Sequence, residues 1–168
     1  MSHNPSINYN VAEILHTFQP SRVLDVGCGY GEWRPSFPAD WVGLDIWLSY
    51  LASGLQRHRV RVRGDATMLP FQDCSFDVVL CCEVLEHVKD PAALVREAKR
   101  VAVRAVMATL PTRPLSRHAQ GAINNNPYEA HITELTWHEL RHLGFHDLYV
   151  LRTLDPVWNE FLFGVCEK

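Results

Sequence analysis

An apolar run that ends in a cluster of glycines constrains the fold of this chain more than any other feature. Val23-Leu24-Asp25-Val26 reads as a buried strand and leads directly into Gly27-Cys28-Gly29-Tyr30-Gly31. Glycines placed directly after a strand let a ligand approach the backbone, because no side chain stands in the way. The segment therefore predicts a nucleotide-like ligand at the end of the first strand of an α/β sheet.

Strand and helix patterns alternate along most of the chain. The predicted strands are, in order, Arg22 to Val26, Trp41 to Asp45, Arg59 to Arg63, Phe76 to Cys82 and Ala105 to Leu110. The predicted helices are an amphipathic one ending before Pro20, a stunted one near Pro35 and Pro38, one from Leu48 to about Gln56 and one from Pro91 to about Val101. This alternation predicts an α/β fold whose parallel sheet is covered on both faces, with ligands at the carboxyl ends of the strands.

The carboxy-terminal part does not follow this alternation of strands and helices. Thr136 and Glu139 have the spacing of a capping box, which opens a helix that ends at Gly144. Two apolar segments follow, near Phe145 to Leu151 and Val157 to Cys166. Because no helix separates them, they predict a terminal antiparallel hairpin.

The residues around the glycine loop indicate which ligand it holds. A dinucleotide fingerprint has glycine where this chain has Glu32, and it opens a long helix whose positive end faces a pyrophosphate. A carboxylate there repels phosphate, which disfavours an NAD-linked reductase. Asp25, in turn, favours a ligand that carries positive charge. S-adenosylmethionine, with an adenosine, a positive charge and no phosphate, meets both conditions.

Two further aspartates follow predicted strands. Asp45 lies eighteen residues beyond Gly27, where a carboxylate can accept two hydrogen bonds from a ribose diol, although this alone does not separate the two cofactors. Asp65 follows the third strand, so its carboxylate is placed to accept from an adenine amino group.

Together with the segment Cys82-Glu83-Val84-Leu85-Glu86-His87-Val88, these motifs resemble those of class I S-adenosylmethionine-dependent methyltransferases with a LDVGCGxG loop and an EVLEH segment. The resemblance covers about Arg22 to Leu110 closely and extends loosely to Gly144. It implies a three-layer, Rossmann-like fold with a mostly parallel seven-stranded sheet and an antiparallel last strand.

The same resemblance implies a set of cofactor-binding residues. The glycines line the methionine part, Asp45 the ribose, Asp65 and Ala66 the adenine, and Cys82 the wall formed by the fourth strand. The full predicted set is Asp25, Gly27, Cys28, Gly29, Gly31, Asp45, Ile46, Asp65, Ala66 and Cys82. For Asp25, a purely structural role in receiving loop amides remains an equal alternative.

The EVLEH segment also raises the question of a metal. Some relatives bind a divalent ion through ExxEH and a later histidine, and here Glu83, Glu86, His87 and His131 have that pattern. EVLEH is widespread without metal, however, with the glutamates capping and solvating a helix. We therefore predict no metal, and assign His87 and His131 as candidate catalytic residues that contact the acceptor or act as a general base.

Length and composition limit the class of protein. A chain of 168 residues predicts a single methyltransferase domain over residues 1–168, and its net charge of −3 offers no attractive field to nucleic acid. No apolar run reaches the length of a membrane span, and the first residues do not resemble a leader, so a cytoplasmic location is expected. Five irregularly spaced cysteines are typical of buried free thiols.

The predicted acceptor is a small molecule that supplies an oxygen, nitrogen or carbon nucleophile. The alternatives are a metal-assisted RNA 2′-O-methyltransferase and a catalytically silent, cofactor-binding partner subunit.

Two other features concern the surroundings of the site. Alternating arginines at 57, 59, 61 and 63 are expected to protect a sheet edge, and Thr112 to Ala130 is expected to form a mobile lid together with the first helix.

Overall fold

A computed structural model describes residues 5–31, 34–53, 57–112, 126–152 and 160–167 of the chain. Its helices are α1 (Pro5–Phe18), α2 (Leu48–Ala52), α3 (Pro91–Val101) and α4 (Trp137–His142), with single 3₁₀ turns at Leu85–His87 and Pro127–Glu129. Its strands are β1 (Arg22–Val26), β2 (Asp40–Asp45), β3 (Val60–Arg63), β4 (Phe76–Cys82), β5 (Ala102–Pro111), β6 (Asp147–Arg152) and β7 (Glu160–Glu167).

The strands form one seven-stranded sheet in the order β3-β2-β1-β4-β5-β7-β6. β1 pairs in parallel with β2 and β4, and β4 pairs in parallel with β5. β7 runs antiparallel to both of its neighbours, β5 and β6. The predicted α/β architecture, with an antiparallel last strand and a terminal hairpin, is confirmed.

The apolar core lies on both faces of the sheet. On one face, Val11 and Leu15 of α1 are completely buried in a cluster with Val23 and Trp41. On the other face, the apolar side of α3 and the residues Leu140 and Phe145 around α4 pack against the strands. Alternate side chains of each buried strand therefore pack against the helices on opposite faces of the sheet. The carboxyl ends of the strands are not covered by these helices and are the expected place for a ligand.

Local sequence signals set the boundaries of α3 and α4. Pro91 opens α3, and the Asp90 carboxylate accepts a hydrogen bond of 2.9 Å from the amide of Ala93. At α4, Thr136 and Glu139 form the predicted capping box with each other's backbone amides. Both helices therefore begin where the caps predicted.

Several boundaries differ from the sequence expectation. β5 begins at Ala102 instead of Ala105, directly after the last residue of α3, because the helix passes into the strand without a connecting loop. The helix expected near Pro35 and Pro38 is absent from residues 34–39, where both prolines lack the amide that a helix needs. β6 begins two residues later than expected, at Asp147, and β7 is described from Glu160 onward, with the expected start at Val157 lying outside the described residues.

Two arginines of β3 donate hydrogen bonds to the backbone of the neighbouring segment. β3 lies at the edge of the sheet, as predicted. Arg61 Nη1 donates to the carbonyl of Leu51 at 2.9 Å, and Arg63 Nε donates to the carbonyl of Ile46 at 3.2 Å. Both side chains thus hold the segment around α2 against the edge strand.

None of the helices in the described ranges combines the length and the apolar character needed to cross a bilayer.

The glycine loop requires two of its glycines for different reasons. Gly27 has φ +66°, and a Cβ built there would lie 2.5 Å from Cγ2 of Val84. Gly29 has φ +49°, but a Cβ there would meet no heavy atom within 4 Å. Gly27 is therefore fixed by both backbone conformation and packing, and Gly29 by conformation alone.

We expect Gly29→Ala to lower the free energy of unfolding by about 1–2 kcal/mol through left-handed backbone strain. Gly27→Ala should cost a further ~1–3 kcal/mol, because its methyl group overpacks against Val84. Urea unfolding of both variants measures the difference. Adding Val84→Ala to Gly27→Ala should recover part of the second loss, whereas equal losses for the two single variants would contradict this account.

Candidate active site

Parallel strands bring most of the predicted site residues to one edge of the sheet. The glycine loop follows β1, Asp45 ends β2, Asp65 follows β3 by two residues, and Cys82 ends β4. The sheet order β3-β2-β1-β4 places these four strand ends side by side. The residues predicted to bind the cofactor therefore share one edge.

Asp45 ties the glycine loop to the end of β2. Its Oδ2 accepts a hydrogen bond from the amide of Gly29 at 2.9 Å, and its Oδ1 accepts one from the amide of Trp47 at 2.8 Å. Burial raises the pKa of Asp45, while the two amide hydrogen bonds act in the opposite direction. Each carboxylate oxygen keeps a second lone pair, so the group can still accept from a ribose diol.

The loop itself is held by backbone contacts and faces open space. The amide of Cys28 donates to the carbonyl of Leu44 at 3.0 Å, and the amide of Gly31 donates to the carbonyl of Cys28 at 2.6 Å. The empty volume beside Gly29 lies where the sequence predicted the approach of a ligand. Glu32, on which the argument against a dinucleotide depended, lies outside the described residues.

Asp65 shapes a turn at the expected adenine side. Its Oδ1 accepts hydrogen bonds from the amide of Thr67 at 2.8 Å and from the Thr67 hydroxyl at 2.7 Å. Asp65 is exposed, and the neighbouring Ala66 is half-buried against the core. Ile46 is half-buried at the end of β2. Contact of these three residues with adenosine stays a prediction.

Asp25 has a buried partner that the sequence reading missed. His58 Nε2 lies 3.1 Å from Asp25 Oδ2, and both side chains are almost fully enclosed. His58 precedes β3 and carried no motif, so only the fold brings it to β1. This contact is with an imidazole and not with the loop amides of the structural alternative, and contact of Asp25 with the cofactor stays a prediction.

A second cluster lies beyond the end of β4. Glu86, His87 and His131 each place one potential ligand atom within 4.8 Å of the others. Both imidazole Nε2 atoms lie 4.0 Å from Oε1 of Glu86, and the two rings meet edge to face at 4.7 Å between centroids. The two candidate catalytic histidines are therefore brought together, across forty-four residues of sequence.

His87 has a defined role for each ring nitrogen. Its Nδ1 lies 3.1 Å from the carbonyl oxygen of Ala130, which can only accept, so Nδ1 carries the proton. Burial lowers the pKa of His87, which favours the neutral ring. The remaining lone pair on Nε2 is then available to a proton or to a metal ion.

Glu86 of this segment is enclosed, whereas Glu83 is half-buried. Residues 85–87 form a 3₁₀ turn, and Glu86 is 3% exposed with neither carboxylate oxygen hydrogen-bonded. Burial raises the pKa of both Glu83 and Glu86, and the charge of Glu83 raises the pKa of Glu86 further. The expectation that the glutamates cap and solvate a helix is wrong for Glu86, because the turn points its side chain into the protein.

Residues 126–133, here called the strap, cross this edge of the sheet. The amides of Ile132 and Thr133 donate to the carbonyl of Glu86 at 2.8 and 3.1 Å, and the Thr133 hydroxyl donates to the carbonyl of Val88 at 2.6 Å. The end of the expected lid is therefore anchored to the fold. Residues 113–125 of that lid lie outside the described residues, and the described turns of α1 are packed in the core.

The other end of the strap contacts α2. The Tyr50 hydroxyl donates to Oε1 of Glu129, and the Asn126 side-chain amide donates to the same oxygen at 3.4 Å. Tyr50 also packs against Tyr30 of the glycine loop, with ring centroids 4.5 Å apart. The strap thus joins the cofactor side of the edge to the Glu86 cluster.

The cysteines supply no activated thiol to this site. Cys28, Cys81, Cys82 and Cys166 are buried and Cys74 is exposed, all as free thiols. Burial raises the pKa of Cys81 and Cys82, so neither is a ready nucleophile. Cys82 is buried at the end of β4, and its contact with the cofactor stays a prediction.

Comparison with known proteins shows which family the chain resembles. The sequence model of a family described as a methyltransferase domain matches residues 24–105, from β1 into β5, which is just under half of the chain. This part of the chain is therefore similar to a methyltransferase domain. The resemblance read from the glycine loop and the EVLEH segment is confirmed, and the family is S-adenosylmethionine-dependent.

Similar sequences carry several methyltransferase names. The demethylmenaquinone methyltransferase of Roseiflexus sp. (strain RS-1) is 40% identical over 112 residues, covering 57% of this chain and 46% of that protein. A phthiotriol/phenolphthiotriol dimycocerosates methyltransferase of Mycobacterium ulcerans (strain Agy99) is 44% identical over 71 residues, covering 37% and 26%. The chain spans about half or less of the length of these curated relatives.

Solved structures share the fold at low sequence identity. A S-adenosylmethionine-dependent methyltransferase from Thermotoga maritima, described as a possible histamine N-methyltransferase, has a TM-score of 0.70 at 16% identity, covering 98% of this chain and 90% of that one. Magnesium protoporphyrin IX methyltransferase from Synechocystis PCC 6803, solved with bound S-adenosylhomocysteine, has a TM-score of 0.66 at 18% identity, covering 96% and 81%.

Asp45→Ala tests the bridge between the loop and β2 without any ligand. The substitution leaves the amides of Gly29 and Trp47 without their acceptor, so we expect a loss of about 1–3 kcal/mol of unfolding free energy. Asp40→Ala is the matched control, because Asp40 is exposed at the opposite end of the same strand. Equal unfolding curves in urea for the two variants would show that the bridge does not stabilise the fold.

Proposed function

We propose that this domain transfers a methyl group from S-adenosylmethionine to an oxygen, nitrogen or carbon nucleophile of a small-molecule acceptor. One observation carries the proposal: Asp45 holds the glycine loop beside open space at the same sheet edge that carries the Glu86 cluster. A cofactor pocket and a set of polar acceptor-side groups therefore adjoin each other.

The residues present fit this cofactor. Gly29 leaves room for the ligand, Asp45 keeps lone pairs for the ribose, and Asp65 is exposed at the adenine side. The buried carboxylate of Asp25 adds negative charge beneath the loop, which favours a cationic ligand. When bound, S-adenosylmethionine supplies an electrophilic methyl group.

The protein's own task is then to hold the acceptor in line and to manage its proton. Because the donor is already activated, positioning can supply most of the rate enhancement. Nε2 of His87 has a free lone pair when its Nδ1 donates to Ala130, so it can accept the proton of a hydroxyl or amine acceptor. His131 stands against it and can orient the same group.

The surroundings favour a small acceptor with apolar character. Leu48 beside α2 is 55% exposed, and Tyr128 and Ile132 on the strap are 45% and 49% exposed. The net charge of −3 gives no general attraction to a polyanion. The Roseiflexus relative is named for demethylmenaquinone, a match in chemical class that supports this proposal.

Binding measurements test the cofactor directly. We expect calorimetry to detect S-adenosylmethionine and S-adenosylhomocysteine and to find NAD weaker, because the sequence has Glu32 where a dinucleotide fingerprint has glycine. Tighter binding of NAD would overturn the proposal. Transfer of a labelled methyl group to any acceptor would exclude the catalytically silent subunit.

The Glu86 cluster gives the metal-assisted alternative a specific observation in its favour. Two imidazoles and a buried carboxylate without hydrogen bonds form a donor set that suits manganese or zinc. Glu86, His87 and His131 would hold the ion, which would supply Lewis-acid activation of an acceptor hydroxyl. An RNA 2′-O-methyltransferase is the second candidate function on this ground.

The expected outcome remains a protein that needs no metal. Stabilisation by S-adenosylhomocysteine in thermal unfolding should be unchanged by a chelator, and elemental analysis should find less than one ion per chain. Glu86→Gln is the informative variant, because it keeps the side-chain shape and removes the anionic ligand. One manganese or zinc ion per chain, lost in Glu86→Gln, would reverse the ranking and raise the RNA alternative.

A further inference from the structure

Residues 57 and 58 support the glycine loop from a direction that no motif indicates. The amide of Arg57 donates to the carbonyl of Tyr30 at 3.1 Å, and the side chain of His58 reaches Asp25 two residues before the loop begins. Both contacts come from the segment directly before β3, the edge strand. The loop after β1 is thus contacted by residues next to β3, which lies on the far side of β2.

Gly43 leaves the space in which the His58 side chain crosses β2 to reach Asp25. It lies on β2 in register with Asp25 of β1 on one side and with Arg61 of β3 on the other. A Cβ at Gly43 would lie 2.8 Å from Sγ of Cys28 and 2.9 Å from Cγ of His58. The imidazole therefore occupies the space above Gly43 and reaches Asp25 beside a loop residue.

The charge at this point matters to a ligand. Asp25 is 1% exposed, so its carboxylate requires a polar interaction partner within the protein. Its charge also acts on Asp45 across the loop and raises the pKa of that group, after the larger effect of burial. His58 places a polar ring nitrogen 3.1 Å from one oxygen of Asp25, while that carboxylate stays beneath the loop.

We propose that His58 is a positioning residue for the cationic, amino-acid part of the cofactor, acting through Asp25. The inference rests on the proposed function, because it takes S-adenosylmethionine as the ligand. His58 fixes the place of the Asp25 carboxylate, and Asp25 provides the negative charge that the ligand's ammonium group meets. The adenosine part depends on Asp45 and Asp65 and is independent of His58.

Two ligands separate this role from a general structural one. S-adenosylhomocysteine carries the amino-acid part, and 5′-methylthioadenosine has the same nucleoside and sulfur without it. We expect His58→Gln to weaken S-adenosylhomocysteine at least tenfold in calorimetry and to change methylthioadenosine by less than threefold. His146→Gln is the matched control, because His146 is exposed before β6, at the opposite edge of the sheet.

A double-variant cycle tests the route through Asp25. Asp25→Asn should show the same selective loss, and adding His58→Gln to it should cause no further loss. If His58→Gln does not fold, Asp25→Asn alone tests the selective loss, since it keeps the imidazole and the shape of the residue and removes only the charge.

The possible failures are distinguishable. Equal weakening of the two ligands in the folded variant, or additive losses in the cycle, would overturn the positioning role and leave the proposed function standing. Wild-type protein that binds neither ligand would overturn the proposed function, and this inference with it.

Discussion

The carboxylate of Asp45 is the contact on which the organisation of the site depends. It receives one amide from the glycine loop and one from the residue before α2, so it adds a side-chain bridge to the backbone contacts that join the ends of β1 and β2. Both amides lie in partly buried positions, which makes the bridge costly to lose. The glycine loop is therefore held at the end of β2 by backbone and side chain together.

The sequence predicted the parts of the fold that depend on local signals. β1 and β4 have the predicted bounds, because each is a mostly apolar segment with a clear end. α3 begins at its proline and cap, and α4 at its capping box. The order of the site residues along the edge also followed from the alternation of strands and helices, since parallel strands place their carboxyl ends together. Ala102 was missed as the start of β5, because nothing in the residues themselves separates the last turn of a helix from a strand that continues it.

The remaining parts depend on contacts between distant segments, which periodicity does not report. His58 carries no motif, and its role becomes visible only when Gly43 is seen to leave room for its ring. Glu86 was expected to be solvated as part of a helix, but a 3₁₀ turn encloses it, and the strap closes over its carbonyl. A sharper signal was present in the sequence: a glycine inside an otherwise apolar strand indicates that another group approaches closely. Gly43 is such a residue.

The strap has a consequence for how acceptor preference can change in a domain of this kind. One end is bound to the turn that carries Glu86, and the other meets Tyr50, which also packs on the glycine loop. In the proposed function the strap faces the acceptor, so a substitution on α2 would shift that wall without touching the acceptor itself. Selection for a new substrate would then act on α2 as well as on the residues that touch the acceptor.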